Sequence, residues 1–305
     1  MDSIQKDLLE KIADIHGTPE GAYNIRENGA AHGRRCTANI DIITKEDKPG
    51  IDIIIKAGTK NESVHIPVVI SETGLNDLVY NDFYIGEDAD VVIVAGCGIH
   101  NEGDLESRHD GIHTFHLAKG ARVKYIEKHY GEGVGSGDNV MNPTTIVYQD
   151  EDSHMEMETV QLKGITSTDR KTSAFLDKGA SIVVHEKIMT NGTQFAKTDF
   201  EVEMNGEDSS ASVVSRSVAK DLSRQTFISN IFGNARCNGH TECDAIIMDK
   251  AKVEAVPKLV AADVDASLIH EAAIGKIAGD QLIKLMSLGL TEAEAEEQIV
   301  SGFLK

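Results

Sequence analysis

The sequence is poor in several residue types, and each shortage narrows what the chain can be. Its 305 residues include no tryptophan and only 5 prolines, and aromatic residues make up 5% of them. The most apolar windows, such as VVIVAGCGI at 91–99, are far shorter than the roughly 20 residues that span a bilayer. Because no basic segment followed by an apolar stretch opens the chain, we expect a cytoplasmic protein without a signal peptide.

Basic residues and cysteines are also scarce. The chain has 30 basic against 50 acidic residues, a formal net charge of -20. Such a charge repels nucleic acid and anionic membranes, so neither is an expected partner. The four cysteines are Cys36, Cys97, Cys237 and Cys243. In a cytosolic chain we expect them to be reduced, metal-binding or reactive rather than joined in disulfides.

Short segments of alternating character fill the middle of the chain. In FEVEMNG (200–206) apolar and acidic residues alternate, as in a half-buried strand. Similar strands are predicted at 123–130, 153–162, 181–189 and 212–219. Recurrent short strands with glycine or aspartate turns are typical of a β-sandwich, a β-barrel or a β-helix. The number of strands, with no linker to divide them, favours a β-helix.

Both ends of the chain show helical periodicity instead. Apolar residues at positions 4, 8, 9, 12 and 15 predict an amphipathic helix that Asp2 caps and Gly17 ends. After residue 268 a second apolar stripe stops at Gly289, and Thr291 with Glu294 forms the capping box of a last helix. This αα-hairpin either covers the end of the β body or forms a docking face. We therefore expect an N-terminal helical segment (1–36), a β core (37–266) and a C-terminal helical segment (267–305).

Residues 237–244, CNGHTECD, hold two cysteines and a histidine at the spacing C-x2-H-x2-C. Zinc and iron elements use such spacings, which suggests a metal site. A closed zinc site needs four donors, however, and only three lie close together here. Histidines also gather at His100, His109, His113 and His116. Their surroundings indicate loop and strand, so we expect a solvated loop there rather than a metal site.

The segment from Cys243 to the C-terminus resembles the C-terminal signature of the SufB/SufD proteins of iron–sulfur cluster assembly. That signature contains a C-D strand, a P-x-L segment, an H-E-A turn with G-K-I, and a helix pair ending in G-F. The matching residues are Cys243, Asp244, Pro257, Leu259, His270, Glu271, Ala272, Gly275, Ile277, Gln281, Leu282, Met286, Gly289, Ala295, Gly302 and Phe303. A weaker likeness begins near residue 65, and the first sixty residues match poorly.

The resemblance implies a fold and a set of partners. The expected fold is a right-handed parallel β-helix with short α-helical segments at both termini. The expected partner is a SufC-like ABC-type ATPase that docks on the C-terminal helices. The apolar residues expected to contact it are Leu282, Leu285, Met286, Leu288, Ile299 and Phe303. The chain has no G-x4-G-K-[ST] sequence, so ATP would be hydrolysed by the partner and this chain would be a non-catalytic scaffold.

The resemblance also implies site residues. Cys243 matches the SufB cysteine and is expected to bind the nascent cluster, with His270 and Glu271 as its weaker ligands. Thiolates suit iron and sulfur, whereas imidazole and carboxylate suit positions that must release a finished cluster. Cys237 and His240 are expected as auxiliary ligands. Cys97 matches a G-C element of the family and either relays sulfur or is a buried structural thiol.

Two departures from the SufB pattern affect these expectations. Ile269 stands where SufB carries an acidic residue, and no cysteine lies between Cys97 and Cys237, where SufB carries one on its sulfur-delivery route. SufD-type chains keep the histidine but commonly lack the cysteine, so this chain resembles a SufB-like scaffold that works as a homodimer. A cysteine desulfurase is a possible sulfur donor. The alternatives are a SufD-like structural partner without cluster-building activity and a zinc-stabilised β-helix adaptor centred on Cys237, His240 and Cys243.

Overall fold

A computed structural model describes residues 3–17 and 19–305. The first part of the described chain contains helix α1 and short strands: α1 (Ser3–Ala13), β1 (Ala22–Glu27), β2 (Ala30–Arg35), β3 (Ile40–Thr44), β4 (Gly50–Ile55), β5 (Lys60–His65) and β6 (Val68–Ile70). Longer strands follow, with two short ones among them: β7 (Asn76–Ile85), β8 (Asp90–His100), β9 (Ser107–Leu117), β10 (Arg122–Glu132), β11 (Asn139–Met141), β12 (Thr144–Gln149) and β13 (His154–Lys163). The rest of the chain comprises β14 (Ser167–Leu176), β15 (Ser181–Thr190), β16 (Phe195–Met204), β17 (Ser209–Ala219), β18 (Arg224–Gly233), β19 (Cys237–Ile247), β20 (Lys252–Ala261), β21 (Ser267–Gly275), α2 (Gly279–Ser287) and α3 (Glu292–Phe303).

The strands form a parallel β-solenoid of about 8 turns, which confirms the predicted β-helix. Successive long strands alternate between two facing sheets, so from β13 onward each strand pairs with the strand two places on in the chain. Thus His154 lies beside Ser181, and Ser181 lies beside Ser210. The five strands predicted from alternation correspond to β10, β13, β15, β16 and β17.

Tight turns with left-handed backbone connect the strands. Gly120 and Gly179, in the two similar turns of the sequence, have φ of +68° and +65°. A β-carbon on Gly120 would lie 2.3 Å from the Asp88 carboxylate of the preceding coil, so the turns stack closely. A β-carbon on Gly179 would likewise lie 2.3 Å from the Asp152 carboxylate. Glycine adopts this backbone without steric cost, which explains the recurrent K-G-A sequence.

The inward face of each strand supplies the core. Apolar side chains from the two sheets fill the interior along the solenoid, with Phe83 and Phe115 stacked at a centroid distance of 4.3 Å. Helix α1 packs outside β8 through Leu8 and Ile12. Near the C-terminus, Val300 of α3 and Leu304, which directly follows this helix, pack against Val218 of β17.

The termini contain less helix than the sequence predicted. Strands β1 and β2 occupy much of residues 1–36, and α1 ends at Ala13, just before Asp14, whose φ is +53°. Strand β21 begins at Ser267, so the last strand lies in the segment expected to be helical. The predicted cap Asp2 lies outside the described residues. The capping box of Thr291 and Glu294 is present, and the helix before it ends ahead of Gly289 as predicted.

Candidate functional site

The C-x2-H-x2-C sequence lies on strand β19, which separates its donors. Cys237 and Cys243 are an even number of residues apart, so both point into the solenoid and are 1% exposed. His240 is an odd number of residues from each and points outward. Six strand residues span about 20 Å. The structure therefore does not bring Cys237, His240 and Cys243 together around one ion.

Cys243 and His270 lie on the interior face of the last two strands of one sheet, β19 and β21. Strand β21 pairs with β19 so that His270 lies beside Thr241 and Ala272 lies beside Cys243. His270 is thus one inward position from Cys243 on the neighbouring strand. Its Nδ1 atom is buried and has no hydrogen-bond partner among the described residues. A buried imidazole nitrogen without a partner is a free donor for a metal ion or a cluster.

Glu271 lies on the outer face, away from Cys243. There it joins His240 and Glu242, with His240 Nε2 3.6 Å from a Glu271 carboxylate oxygen. One donor atom from each of these three residues lies within 4.8 Å of the others. The three predicted ligands Cys243, His270 and Glu271 therefore divide between the two faces of one sheet: a thiol and an imidazole inside, and a carboxylate outside.

Burial determines the protonation of Cys243. Burial, and secondarily the nearby Glu186 and Asp244 carboxylates, raise the pKa of this thiol to about 12. Burial also raises the pKa of Cys237. Both groups are thus neutral thiols near pH 7 in the isolated chain, and a bound metal would have to displace the proton.

A second group of polar side chains, here called the interior polar cluster, lies deeper in the solenoid. Its members are Asp77, Cys97, His109, His113, Tyr125, Glu127, His129, Arg170 and Glu186, all of them buried. The histidines predicted to lie in a solvated loop are instead on β8 and β9, and His109 and His113 are 3% and 4% exposed. The loop expectation was wrong because these residues alternate on a strand whose inward face is the core.

Hydrogen bonds and ion pairs connect the cluster. Glu127 pairs with Arg170, and its other oxygen accepts a hydrogen bond from the Tyr125 hydroxyl at 3.1 Å. His129 Nδ1 lies 3.2 Å from an Arg170 nitrogen. His113 Nδ1 lies 2.8 Å from the Tyr125 oxygen. The buried charges are therefore paired, as a low-dielectric interior requires.

Electrostatics distinguish Cys97 from the other buried thiols. Burial alone would raise its pKa, but His109, and secondarily His129, lower it to about 7. For His109, burial alone would lower the pKa, whereas the Cys97 thiolate and the Asp77 carboxylate raise it to about 10. Burial lowers the pKa of His113 to about 4, so that imidazole stays neutral. Near neutral pH these shifts favour the thiolate form of Cys97 and the imidazolium form of His109.

Sequence reasoning missed Asp77, Glu127, His129 and Arg170. A signal was present in VKYIEKHY, where Val123, Tyr125, Glu127 and His129 have the same strand phase. Polar residues at positions that should face the core mark a buried network.

Polar contacts continue from the cluster toward the last coils. The Ser215 hydroxyl donates to Glu186 at 2.7 Å, and Thr198 donates to the other Glu186 oxygen at 3.0 Å. Ser215 is the strand partner of Cys243. A line of buried polar side chains thus runs from Cys97 through Arg170 to the level of Cys243.

The C-terminal helices present apolar side chains to solvent. No residue of α2 is buried; Met286 is 42% exposed, and Leu288, just after the helix, is 76% exposed. Leu282, Leu285, Ile299 and Phe303 are half-buried. The expected docking residues therefore remain partly accessible in the isolated chain.

Fold and site together define a β-solenoid with thiol, imidazole and carboxylate donors on its last coils. The chain belongs to the SufB/SufD family: the family model described as "SUF system FeS cluster assembly, SufBD core domain" matches residues 79–303. This confirms the resemblance seen in the sequence. Within the described residues, no helix has the length and apolar character that a membrane crossing requires.

Three relatives show how far the similarity extends. The chain is 31% identical to the iron–sulfur cluster assembly SufBD family protein MJ0034 of Methanocaldococcus jannaschii, over 99% of both chains. That match includes the N-terminal residues that resembled SufB poorly. A SufBD family protein of Methanothermobacter thermautotrophicus (strain Delta H) is 30% identical over 77% of this chain and 57% of its own length. The assembly protein SufB of Bacillus subtilis is 34% identical over 32% of this chain and 22% of its own.

Proposed function

We propose that this chain is a scaffold subunit for de novo iron–sulfur cluster assembly. Family membership supports a role in iron–sulfur assembly, and one structural observation supports the scaffold role. Donors of both kinds that a cluster needs lie on the last coils: Cys243 and His270 inside, and His240, Glu242 and Glu271 outside. Iron and sulfide are the cargo, held transiently and passed on.

The division of donors between two faces suggests how assembly is controlled. The carboxylate and imidazole groups of Glu242, Glu271 and His240 would bind ferrous iron weakly. Because they lie on the outer face, iron can reach them from solvent. The thiol of Cys243 and the free nitrogen of His270 are sealed until the last coil moves. Iron held outside by Glu271 therefore reaches Cys243 only when that coil opens.

An ABC-type ATPase of the SufC kind is the proposed source of this movement. The half-exposed apolar side chains of α2 and α3 are the docking surface, and α3 is anchored to β17 through Val300 and Leu304. A force on α3 is therefore transmitted to the strand that neighbours β19. ATP is bound and hydrolysed by the partner alone in this proposal.

The test is anaerobic cluster reconstitution on this chain, co-expressed with its ATPase, with iron and sulfide counted per chain. Cys243→Ser should lose at least about nine-tenths of the cluster while folding and ATPase binding persist, because a hydroxyl is a poor ligand for iron–sulfur clusters. Cys36→Ser removes an exposed thiol far from the site and is the matched control. Unchanged cluster yield in Cys243→Ser would contradict the proposal.

The same experiment separates the SufD-like alternative. A SufD-like partner would bind the ATPase but acquire no cluster in the wild type, and would co-purify with a cysteine-bearing paralogue. We give this alternative less weight because Cys243, commonly missing from SufD-type chains, is present on the interior face beside His270.

A further inference from the structure

A cavity of about 380 Å³ lies on the outer face of the sheet, across strands β13, β15, β17 and β19. This volume is at the lower end of the range of small-molecule sites. The cavity adjoins the group of His240, Glu242 and Glu271, because Glu242 belongs to that group and also lines the cavity. A ligand bound there would therefore contact the outer donors of the proposed iron site.

Three cationic side chains line this cavity: Lys187, Arg216 and Lys305. Lys187 and Arg216 are strand partners on β15 and β17, so they leave the same face about 5 Å apart. The Lys187 ammonium donates to the backbone oxygen of Lys305 at 2.6 Å. Arg216 has no hydrogen bond or ion pair within the described part of the chain, because its strand partner Asp244 interacts with Glu242 instead. The Arg216 guanidinium is thus available to a ligand.

The two carboxylates at the ends of the cavity differ in their partners. Glu158, on β13, pairs with Lys124 at 2.8 Å. Glu242, on β19, forms no ion pair with a lysine or arginine among the described residues, and Arg216 acts on it only through space. The cavity therefore has a positive side, formed by Lys187 and Arg216, and a negative side at Glu242.

Neither a lone anion nor a lone cation matches this division of charge. A free polycarboxylate would be attracted by Arg216 but repelled by Glu242, and a hydrated ferrous ion would meet the reverse. A metal ion already chelated by a small polycarboxylate carries both charges. Guanidinium groups bind carboxylates through paired hydrogen bonds, and carboxylate and imidazole groups bind iron. Chelated iron is thus the class of ligand that the cavity fits.

We propose that this cavity receives iron as a chelate of a small polycarboxylate, which Arg216 and Lys187 bind through its carboxylate groups. This inference rests on the proposed scaffold function and names the chemical form in which iron arrives. Iron then passes to His240, Glu242 and Glu271 by ligand exchange. Bonds from iron to the chelator oxygens break as bonds to the protein donors form, no electron is transferred, and the polycarboxylate leaves as the free anion.

The binding step is tested with chromium(III) citrate, a chelate whose ligands exchange too slowly for the metal to be handed over. The full chain is dialysed to equilibrium against it, and chromium and citrate are counted. We expect both to be retained in equal amounts. Retention of neither would overturn the proposal. Citrate retained equally well without a metal would also overturn it, because the cavity would then be a site for the anion alone.

Variants test which side chains bind the chelate. Arg216→Gln should weaken the binding of chromium(III) citrate by at least about tenfold, because charged hydrogen bonds to a carboxylate are lost, and Lys187→Gln should weaken it as well. Arg224→Gln is the matched control, since Arg224 is an exposed arginine on the outer face of the other sheet. Unaltered binding in Arg216→Gln would overturn the proposal.

A second measurement tests the transfer of iron. Anaerobic iron uptake from ferrous citrate is compared with uptake from ferrous sulfate at the same concentration of free ferrous ion. Uptake from the chelate should be faster, and Arg216→Gln should remove this difference. Glu242→Gln should slow uptake from both sources, because it removes a donor to the metal. Equal rates from both sources in the wild type would overturn the proposal.

These measurements contain neither sulfide nor the ATPase. The chelate can therefore bind even if the chain builds no cluster, and cluster assembly on Cys243 can proceed even if iron arrives in another form. A failure of this inference is thus distinguishable from a failure of the proposed scaffold function.

Discussion

At the scale of single residues, the unusual feature is a salt bridge in the middle of a β-solenoid core. Arg170, 2% exposed, pairs with Glu127, and Glu186 lies on its other side. Burial alone would raise the pKa of Glu127, but the Arg170 guanidinium outweighs it and holds this pKa well below its usual range, whereas burial raises the pKa of Glu186. Arg170 therefore favours the ionised form of Glu127, whereas burial disfavours the ionised form of Glu186. The Arg170 guanidinium offsets the free-energy cost of burying the ionised Glu127 carboxylate.

Removing Arg170 should accordingly be far more costly than removing a surface cation. Arg170→Met leaves the Glu127 carboxylate buried without its partner, and we expect a loss of about 3–5 kcal/mol in the free energy of unfolding. Lys124→Met is the matched control, since Lys124 also bridges two carboxylates, Glu156 and Glu158, but on the outer face. Lys124→Met should lower the free energy of unfolding by less than about 1 kcal/mol. Urea unfolding measures both, and equal losses would contradict this account of the cluster.

At the scale of elements, two glycines of strand β8 allow helix α1 to pack closely against this strand. Gly96 and Gly98 face outward, between the inward residues Ala95, Cys97 and Ile99. A β-carbon on Gly96 would lie 2.4 Å from the Ile12 carbonyl oxygen, and one on Gly98 would lie 3.2 Å from a Leu8 methyl. The helix thus covers the outer side of the strand that carries Cys97.

Gly96→Ala should therefore displace α1. Backbone of the helix, not a flexible side-chain end, occupies the space that the methyl group needs, so we expect a loss of about 1–3 kcal/mol. Faster hydrogen exchange should be confined largely to residues 3–13 and the outer side of β8. Gly275→Ala is the control, because a methyl group added there would meet no atom within 4 Å, and its effect should be within about 0.5 kcal/mol. If the hydrogen exchange of α1 is unchanged in Gly96→Ala, the close packing of Gly96 against Ile12 is contradicted.

At the scale of the whole molecule, the two ends of the solenoid differ. At the first end, β1 with β2 and β3 with β4 form antiparallel pairs that finish the two sheets. At the other end, β20 and β21 each have a free edge among the described residues. Apolar side chains accompany these edges: Val256, Leu259, Ile269 and Ile274 are 37–52% exposed. Free strand edges beside apolar side chains favour pairing with another chain.

We expect this end to join two copies of the chain. Sedimentation equilibrium of the wild type should give twice the 33.0 kDa of one chain. Val256→Glu with Leu259→Glu should give the monomer, because two buried carboxylates would lie in the interface. Val134→Glu, at an 89% exposed position elsewhere, should leave the dimer intact. A monomeric wild type at micromolar concentration would argue against self-association through these strands.

Much of the architecture is determined by local sequence. Alternation such as that of Phe200, Val202 and Met204 specifies which face of a strand is buried, and this is independent of the rest of the fold. The capping box at Thr291 and the stop at Gly289 likewise depend on residues within one helical turn. The same reasoning placed α1 correctly but extended it beyond Ala13, because helix ends depend on the packing that follows.

The sites depend on the stacking of coils. The family pattern associates Cys243 with His270, and the strand register places the two on neighbouring strands. Glu271, the next residue, points to the opposite face because the segment is a strand and not a turn. Asp77, Cys97, His109 and His129 lie on four different strands and meet only through the register of neighbouring coils. Turn lengths vary from coil to coil, so sequence separation does not reveal that register. The sequence by itself thus determined strands, faces and helix caps, whereas tertiary structure alone decided which polar groups share the interior and hence which thiol has a lowered pKa.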